Sequence, residues 1–348
     1  PHPTIRDGVG IDRATGAAAR AEAVKFDLEV LPAGSRFALR LEVENPSPDD
    51  ETLLAAALAE WAAGRGALGG RVGRGLGAFR LSHLRTWRRT LDRPETLLEH
   101  LRGDTPQAGA AAEAGWLLGA AGQAAGVIRA KPCGVAQEGL VAASWIEATF
   151  YLEPEGPFLV SDPLEALRRG VDHAPLIERR PVLPGSGLRG VLRSRAEYIA
   201  RTLASSQAAT EQEFLERCPA CSPVARPISA GDTPPLQVCD SLLDVKADHE
   251  VQEKELCLAC RLFGSAQRGS RLVVEDAPLV GSDPRFKLQD FLAIDRFTGG
   301  GLDGAKFDAL ALWKPAFLAR LRLENPRAWE LGWLALALRD LGEGLAPV

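Results

Sequence analysis

Four of the six cysteines in this sequence fall into two Cys-x-x-Cys pairs, Cys218/Cys221 and Cys257/Cys260. Without a secretory signal the chain is expected to keep its thiols reduced, so metal binding explains the pairs better than a disulfide framework does. Tetrahedral Zn²⁺ held by four thiolates is the best match to this set of soft ligands. The spacing therefore predicts a zinc site.

The predicted zinc site has a structural role, because four protein ligands leave no open coordination position for water. The ion would pin an insertion, residues 202–255, onto the helix and strand that flank it. In the alternative interpretation one pair is buried and reduced, and Cys239 or His249 completes a different set of ligands.

A glycine-rich stretch at residues 64–77 also carries arginines and is the second candidate site. Glycine permits tight turns and close approach of a phosphate to the backbone, and the Arg guanidinium makes forked hydrogen bonds with phosphate. We expect Arg65, Arg71 and Arg74 to favour phosphate binding, with a purely structural turn as the alternative. The stretch lacks the ordered Gly-Lys-Ser/Thr of an ATP-binding loop, so nucleotide hydrolysis is not indicated.

A third candidate is the Pro-Gly-Ser turn at residues 184–186, which leads into a predicted helix. The start of a helix presents backbone N–H groups and the positive end of the helix dipole, both of which suit a phosphate. Leu188 and Leu192 share an apolar stripe that can face a core, whereas Arg189 and Arg193 lie four residues apart on another face. The alternative is an ordinary capped amphipathic helix with solvated arginines.

The composition of the chain limits its number of domains and the ways in which it can bind nucleic acid. The 348 residues are 46% hydrophobic, enough for one large core or two ordinary ones. A net charge of −5 argues against coating of nucleic acid over the whole surface, so binding must depend on local clusters of cations. No apolar run approaches the roughly 20 residues of a membrane span, and we expect a cytoplasmic protein with no membrane contact. The chain has no Met, even at position 1, so we expect it to be part of a longer product.

An internal repeat organises the elements around these sites. Three short blocks occur twice in the same order, with offsets of 283, 281 and 280 residues, and this predicts one domain type present in two copies. Each copy is expected to have a hairpin at its first block, then an alternating strand, then a helix. The blocks are Ile-Asp-Arg-x-Thr-Gly at 11–16 and 294–299, Lys-Phe-Asp at 25–27 and 306–308, and Leu-x-x-Glu-Asn-Pro at 41–46 and 321–326; the predicted strands are 37–43 and 317–323, and the helices 52–63 and 329–341.

Four motifs in one order resemble the RAMP superfamily, whose members form the backbone of type III CRISPR complexes. They are the Pro-Gly-Ser turn, a Leu-Phe-Gly-Ser turn at 262–265, an Arg-Leu-x-Val-x-Asp-Ala strand at 271–277 and the second Ile-Asp-Arg-x-Thr-Gly block. The glycine-rich stretch is similar to the element that closes such domains. The resemblance covers about residues 3–81 and 144–348.

This resemblance implies an α+β fold of tandem ferredoxin-like (RRM-like) RAMP domains with hairpin and loop insertions and a zinc-binding insertion. Residues 1–81 would be the C-terminal part of a first domain ending in the glycine-rich loop. Residues 82–143 would be a connector, and residues 144–348 a second domain that lacks its final glycine-rich loop. Fused domains of this kind resemble the multi-domain effectors of types III-D and III-E, which act in antiviral defence.

The resemblance also implies a cleavage site. In RNA-cleaving members a Gly-x-Asp in the loop before the Pro-Gly-Ser turn carries the catalytic aspartate, and Asp172 occupies the matching position. A carboxylate near a kinked phosphate can bind a divalent cation such as Mg²⁺ or orient the ribose 2′-OH. The neighbouring His173 is suited to proton transfer near neutral pH. The alternative is that both are ordinary polar loop residues, and Asp162 is a second candidate carboxylate that more simply initiates a turn.

The function expected from the resemblance is binding of CRISPR guide RNA with metal-dependent, RNA-guided cleavage of complementary target RNA. The alternative is a non-cleaving backbone module that binds only guide RNA and neighbouring RAMP domains or subunits. A small-molecule enzyme would explain neither the repeat nor the arginine-glycine motifs. The residues expected to contact RNA are Arg13, Thr15, Gly69, Gly70, Arg71, Gly73, Arg74, Gly75, Gly185, Ser186, Arg189, Arg193, Phe263, Ser265, Arg296 and Thr298.

Overall fold

A computed structural model describes residues 3–13, 16–19, 24–103, 111–112, 116, 144–221, 239, 255–266 and 268–346. This part of the chain is a mixed α+β structure with seven α-helices and small antiparallel sheets. By internal packing the chain divides into two compact units. The large unit comprises Pro1–Phe37, Gly73–Leu76 and Ala143–Val348, and the small unit comprises Ala38–Val72 and Gly77–Ala142.

The secondary structure of both units is numbered here in chain order. The strands are β1 Thr4–Val9, β2 Lys25–Val30, β3 Gly66–Ala67, β4 Ala78–Phe79, β5 Trp87–Arg88, β6 Ala111–Ala112, β7 Trp145–Leu152, β8 Pro157–Phe158, β9 Val182–Leu183, β10 Leu272–Val274, β11 Ala277–Pro278, β12 Phe286–Ile294, β13 Gly301–Trp313 and β14 Phe317–Glu324. The helices are α1 Pro48–Ala62, α2 Pro94–Arg102, α3 Pro163–Arg169, α4 Gly185–Gln207, α5 Glu211–Arg217, α6 Leu258–Phe263 and α7 Ala328–Gly342.

The core of the large unit lies against a sheet of strand order β10-β14-β7, in which both pairs are antiparallel. Alternate residues of β14 are buried in this core, as a half-covered antiparallel strand requires. Helix α4 packs against α7, and the indole Nε1 of Trp333 donates to the carbonyl oxygen of Ala196 at 2.9 Å. Leu188 and Leu192 of α4 are fully buried, which confirms the apolar stripe predicted for this helix.

The two copies of the repeat share local structure as well as sequence. Helices α1 and α7 each have 15 residues and are offset by 280 residues at both ends. Asn45 and Asn325 precede them with left-handed φ angles of 47° and 46°, a conformation that Asn tolerates better than most residues. Both predicted helices are therefore confirmed, with slightly different ends.

The strand predicted at residues 37–43 is not a strand in the structure, whereas its counterpart at 317–323 forms β14. In the first copy Phe37, Leu39, Leu41 and Val43 are 50–77% exposed, whereas the equivalent residues of β14 are at most 4% exposed. The physical reason is that a strand needs hydrogen-bonding neighbours. β14 has one on each edge, and among the described residues the segment 37–43 has none.

Other elements follow the sequence closely. The strand expected at 144–152 is β7, the helical segment expected near 97–101 lies within α2, and β10 lies within the motif strand at 271–277. Most of the predicted connector, residues 82–143, lies outside the described residues beyond position 103. Within the described part, no helix combines the length and apolar character needed to cross a membrane.

Candidate functional site

Four cysteine sulfurs lie together beside α4, each within 4.8 Å of the others. They belong to Cys221, Cys239, Cys257 and Cys260, and the closest pair, Cys221 and Cys260, has its Sγ atoms 3.5 Å apart. Thiolates bound to one zinc ion at about 2.3 Å are roughly 3.8 Å apart in a tetrahedron. The donor set and its size therefore fit a zinc ion bound by four thiolates.

Backbone N–H groups point at the sulfurs of this cysteine cluster, as expected for thiolate ligands. The N–H groups of Cys221 and Cys260 donate to the Sγ of Cys257, and the N–H of Cys257 donates to the Sγ of Cys239, each at 3.4 Å. The pKa of Cys257 is lowered, because the thiols of Cys221, Cys239 and Cys260 and a backbone N–H donate to its sulfur. The pKa of Cys239 is lowered as well, chiefly because the thiol of Cys221 donates to its sulfur.

Two arginines of α4 hold the cysteine cluster in place. The Nη2 of Arg193 lies 3.5 Å from the Sγ of Cys260. The Nε of Arg201 donates to the carbonyl oxygen of Ala220 at 3.2 Å. Because four thiolates around one Zn²⁺ carry a net charge of −2, nearby guanidinium groups stabilise the charged site.

The cysteine cluster differs from the predicted ligand set in one residue. Cys218 lies outside the group, and its thiol donates to the carbonyl oxygen of Ala220 at 3.3 Å. Cys239 takes the corresponding place, as the alternative interpretation allowed, whereas His249 lies outside the described residues. The fold decides between Cys218 and Cys239 because sequence spacing does not fix which way a thiol points.

Three arginines form a second cluster beside α4, made of Arg74, Arg189 and Arg193. Burial, and then the neighbouring charges of Arg193 and Arg74, lower the pKa of Arg189 to about 10. Its Nη2 donates to the carbonyl oxygen of Phe263, and its buried Nε has no hydrogen-bond partner within the described structure. Arg189 is therefore a half-buried cation beside two other arginines, an arrangement that an anion would stabilise.

Arg193, one helical turn further along α4, is held by protein groups instead. Its Nε donates to Glu197 at 2.7 Å, and its Nη1 donates to the carbonyl oxygen of Gly264 at 3.0 Å. Burial acts to lower the pKa of Arg193, but the charge of Glu197 outweighs this effect and raises it. Its predicted contact with RNA would compete with a buried ion pair.

The helix N-terminus that was predicted to bind phosphate already holds a carboxylate of the chain. The N–H of Gly185 donates to Oδ1 of Asp276 at 2.8 Å, and Oδ2 of Asp276 accepts from Arg6 at 2.7 Å. Gly185 is buried, and a Cβ there would lie 2.2 Å from the carbonyl oxygen of Val274. The glycine thus serves close packing and its N–H is occupied, whereas the side chain of Ser186 is exposed.

The glycine-rich stretch divides into an exposed part and a packed part. Gly69, Gly70 and Arg71 are exposed in the small unit, and added Cβ atoms at the two glycines would meet nothing within 4 Å. Gly73 and Gly75 instead pack in the large unit. A Cβ at Gly73 would lie 3.0 Å from that of Ser270, and one at Gly75 would lie 2.7 Å from the carbonyl oxygen of Val274. Close packing against other parts of the protein explains why glycine is needed at these two positions, and it requires no contact with RNA.

The prediction that Phe263 contacts RNA needs correction. Its side chain is fully buried in the core, with its ring centroid 6.4 Å from that of Trp333 in an edge-to-face contact, so no base can stack on it. Ser265 accepts from the N–H of Arg268 at 3.2 Å. Thr298 is exposed and accepts from the N–H of Gly300 at 3.3 Å. Thr15 lies outside the described residues.

The two arginines of the repeated Asp-Arg-x-Thr-Gly turns have different surroundings. The Nε of Arg13 donates to Oε2 of the fully buried Glu197 at 2.9 Å. Arg296, its counterpart, is exposed. The RNA contacts predicted for both stay predictions, but the structure gives Arg13 a protein partner.

The predicted catalytic pair lies on a loop that is fixed to β13. The N–H of Asp172 donates to Oδ1 of Asp308 at 2.8 Å, and the N–H of Asp308 donates to Oδ2 of Asp172 at 2.9 Å. The backbone of His173 pairs with β13 on both sides, through the carbonyl oxygen of Asp308 and the N–H of Leu310. Asp172 and His173 are both exposed, and these contacts hold the backbone of both residues against β13.

His173 has two further contacts that orient its ring. Its Nδ1 shares a hydrogen bond with the hydroxyl of Ser161 at 3.2 Å, and its ring stands edge-on to that of Phe307 with centroids 5.7 Å apart. Asp162, the second candidate carboxylate, is buried and caps α3 by accepting from the N–H groups of Leu164 and Glu165. Its side chain therefore initiates a helix, as the alternative interpretation held.

Sequence reasoning missed three acids that organise these sites. Asp276 and Asp308 stand inside motifs that were noted for other residues, the Arg-Leu-x-Val-x-Asp-Ala strand and the repeated Lys-Phe-Asp block. Glu197 had a signal of its own, because Arg193 and Arg201 lie four residues before and after it on α4.

The chain is thus an α+β protein with a repeated sequence unit. It has a cysteine cluster suited to a metal ion and a cluster of three arginines beside α4. The family model of the RAMP superfamily matches residues 1–80 and 170–346. The chain therefore belongs to the RAMP superfamily, as its motifs suggested. No curated protein matches the chain.

Proposed function

We propose that this chain binds guide RNA as part of the backbone of a type III CRISPR effector and cleaves complementary target RNA at Asp172. Membership of the RAMP superfamily supports a CRISPR-associated RNA-binding module. The tandem organisation favours a fused effector of the III-D or III-E kind. The partners would be guide RNA, target RNA and further RAMP domains or subunits.

The main support for RNA binding is the excess of positive charge at Arg189. Burial and two neighbouring arginines lower its pKa to about 10, and the described residues give it no carboxylate partner. Arginines that balance protein charges have acids beside them, as Arg193 has Glu197. A phosphate would supply the missing anion beside the guanidinium group of Arg189. The proposed RNA backbone therefore passes Arg189 and Arg74.

The order of elements in the large unit supports the ferredoxin-like part of the proposal. The sequence of β7, α4, β10, β14 and α7 follows a β-α-β-β-α path, and β14 lies between the other two strands. The long hairpin of β12 and β13 is inserted between β10 and β14. Such an insertion fits the hairpin insertions expected from the resemblance.

The proposed cleavage site uses the loop on β13. Among the described residues Asp172 uses one oxygen to accept from Asp308, so its remaining lone pairs would orient the ribose 2′-OH or bind a divalent cation. A bound Mg²⁺ would supply Lewis-acid stabilisation of the phosphate. His173, held by Ser161, would move a proton at the imidazole nitrogen that does not face that hydroxyl. Zinc in the cysteine cluster would be structural.

A non-cleaving backbone module is the second candidate, and one observation favours it. Asp172 and Asp308 exchange hydrogen bonds with each other's backbone, which gives Asp172 a role in holding the loop that requires no catalysis. Separate measurements of binding and cleavage decide between the two.

The test of RNA binding compares Arg189→Ala with the wild type in a titration of labelled single-stranded RNA at several salt concentrations. Loss of one charge-assisted phosphate contact, about 1.5–3 kcal/mol, predicts an affinity about 10–100-fold lower. The slope of log affinity against log salt should decrease by about one unit. Thermal unfolding of each variant shows whether the fold is kept.

Two control variants make this test specific. Arg217→Ala removes an exposed arginine that pairs with Glu213 on α5, and RNA affinity should not change. Arg189→Lys keeps a cation and should retain part of the affinity. Equal affinity and salt slope for wild type and Arg189→Ala would exclude Arg189 as a phosphate contact.

A further inference from the structure

Both copies of the repeat place two aspartates directly opposite each other in a hairpin. In the hairpin of β1 and β2 Asp7 pairs with Asp27, and in the hairpin of β12 and β13 Asp290 pairs with Asp308. Asp27 and Asp308 are the last residues of the repeated Lys-Phe-Asp block. The cross-strand pair of acids is therefore part of the repeat.

This pair of acids works against the stability of each hairpin, because like charges directly opposite in an antiparallel pair repel. In the first hairpin the pKa of Asp7 is raised, first by burial and then by the hydrogen bond with Asp27 and its charge. In the second, Lys306 lies 3.5 Å from Asp290, but these side chains are 70% and 67% exposed, so the ion pair offsets little. A costly pair that occurs in both copies indicates a role outside the hairpin.

In the second hairpin Asp308 holds the loop of the proposed cleavage site. Its Oδ1 accepts from the N–H of Asp172 at 2.8 Å, and its N–H donates to Oδ2 of Asp172 at 2.9 Å. The first bond requires the carboxylate of Asp308, whereas the second uses only its backbone. The loop continues along β13, because the N–H of Leu310 donates to the carbonyl oxygen of His173 at 2.9 Å.

These two bonds restrict how the side chain of Asp172 can turn. An exposed aspartate can otherwise adopt several rotamers, and Asp172 is exposed. With Oδ2 tied to the backbone of Asp308, Oδ1 is the oxygen that can meet a ribose hydroxyl or a cation. Misplacing a reacting group by about 1 Å can cost about 100-fold in rate, so this restriction matters for cleavage.

We propose that Asp308 is a positioning residue of the cleavage site, whose carboxylate holds the N–H of Asp172 so that the carboxylate of Asp172 meets the RNA backbone in one orientation. The repulsion between Asp308 and Asp290 is tolerated because Asp308 serves the loop and not the hairpin. This inference rests on the proposed function, since it requires cleavage at Asp172. Asp308 then controls the rate of cleavage and leaves RNA affinity unchanged.

The test measures single-turnover cleavage by the complete effector with guide and target RNA. Asp308→Ala removes the acceptor for the N–H of Asp172, and cleavage at the site facing this module should be about 10–100-fold slower, with unchanged RNA affinity. Asp308→Asn keeps a side-chain oxygen at that place and should recover most of the rate. The matched control is Asp303→Ala, at an exposed acid of the same strand, which should cleave at the wild-type rate.

Thermal unfolding excludes loss of the hairpin as the cause of slow cleavage. Both variants of Asp308 remove its repulsion with Asp290, so neither should lower the melting temperature. A double variant then separates positioning from a merely structural role. If Asp308 acts through Asp172, adding Asp308→Ala to Asp172→Asn should not slow the residual cleavage further.

The inference is overturned if Asp308→Ala cleaves at the wild-type rate, or if Asp308→Asn is as slow as Asp308→Ala. It is also overturned if Asp308→Ala slows the Asp172→Asn variant by the same factor as it slows the wild type. Normal cleavage by Asp172→Asn would instead overturn the proposed function itself. The two failures are therefore distinguishable.

Discussion

Arg189 and Arg193 lie one turn apart on α4 and have opposite electrostatic surroundings. Arg193 faces Glu197 and the cysteine cluster, so its charge is balanced within the protein. Arg189 faces a carbonyl oxygen and two other arginines. Arg193 thus has a structural role, whereas Arg189 on the same helix face has a proposed ligand-binding role.

The cysteine cluster gives a residue-scale prediction that compares two cysteines. Cys239→Ser should lose zinc and lower the melting temperature, because Cys239 lies with three other thiols within 4.8 Å. Cys218→Ser should keep the metal, since its thiol is bonded to a carbonyl oxygen. Elemental analysis of the purified variants measures the zinc content. Zinc loss in Cys218→Ser with full zinc in Cys239→Ser would restore the ligand set predicted from sequence.

The cleavage site gives a second residue-scale prediction. Asp172→Asn keeps an oxygen that accepts from the N–H of Asp308 but removes the negative charge, so the loop should stay folded. Cleavage at the site facing this module should fall about 10²–10⁴-fold, the usual contribution of a positioned acid or base, while RNA affinity stays the same. Gel assays with the complete effector measure cleavage and filter binding measures affinity. Asp283→Asn, at an exposed acid elsewhere in the module, is the control.

Normal cleavage by Asp172→Asn would favour the non-cleaving module. Loss of both binding and cleavage would show instead that the carboxylate holds the loop. Asp308→Ala helps to separate these results. It removes the carboxylate that accepts from the N–H of Asp172, and it leaves the proposed catalytic carboxylate of Asp172 unchanged.

At the scale of elements, the packed part of the glycine-rich stretch should be sensitive to side chains and the exposed part should not. Gly75 has a φ of 85°, and a Cβ there would lie 2.7 Å from the carbonyl oxygen of Val274. Gly75→Ala should destabilise the protein by about 2–4 kcal/mol through backbone strain and overpacking. Gly70→Ala should be near neutral, because an added Cβ would meet nothing within 4 Å. Urea unfolding measures both, and equal stability of the two variants would contradict packing of the loop against β10.

At the scale of the whole molecule, the two copies of one repeat differ in how much of their apolar surface is covered. Leu321 of β14 is 4% exposed, whereas Leu41 at the equivalent position is 52% exposed. Leu321→Ala should cost about 2–5 kcal/mol of stability, and Leu41→Ala should stay within about 0.5 kcal/mol. Chemical unfolding of the chain measures both. Equal losses would show that the segment 37–43 is covered in solution as β14 is.

The sequence by itself determined the features that depend on local spacing. Offsets of 280–283 residues identified the repeat, and helices α1 and α7 agree with it at both ends because capping and periodicity are local signals. The motif order was enough to identify the RAMP superfamily. The pairs of cysteines indicated a metal site, because ligand type and number can be read from the sequence.

Only the tertiary structure decided which members of each motif face a ligand and which face the protein. It placed Cys239 and not Cys218 among the four thiols, buried Phe263, and filled the start of α4 with Asp276. It also left 37–43 exposed where the same pattern became β14. In each case the outcome depends on groups far away in sequence, whose burial, charge and hydrogen bonds compete for the same side chain.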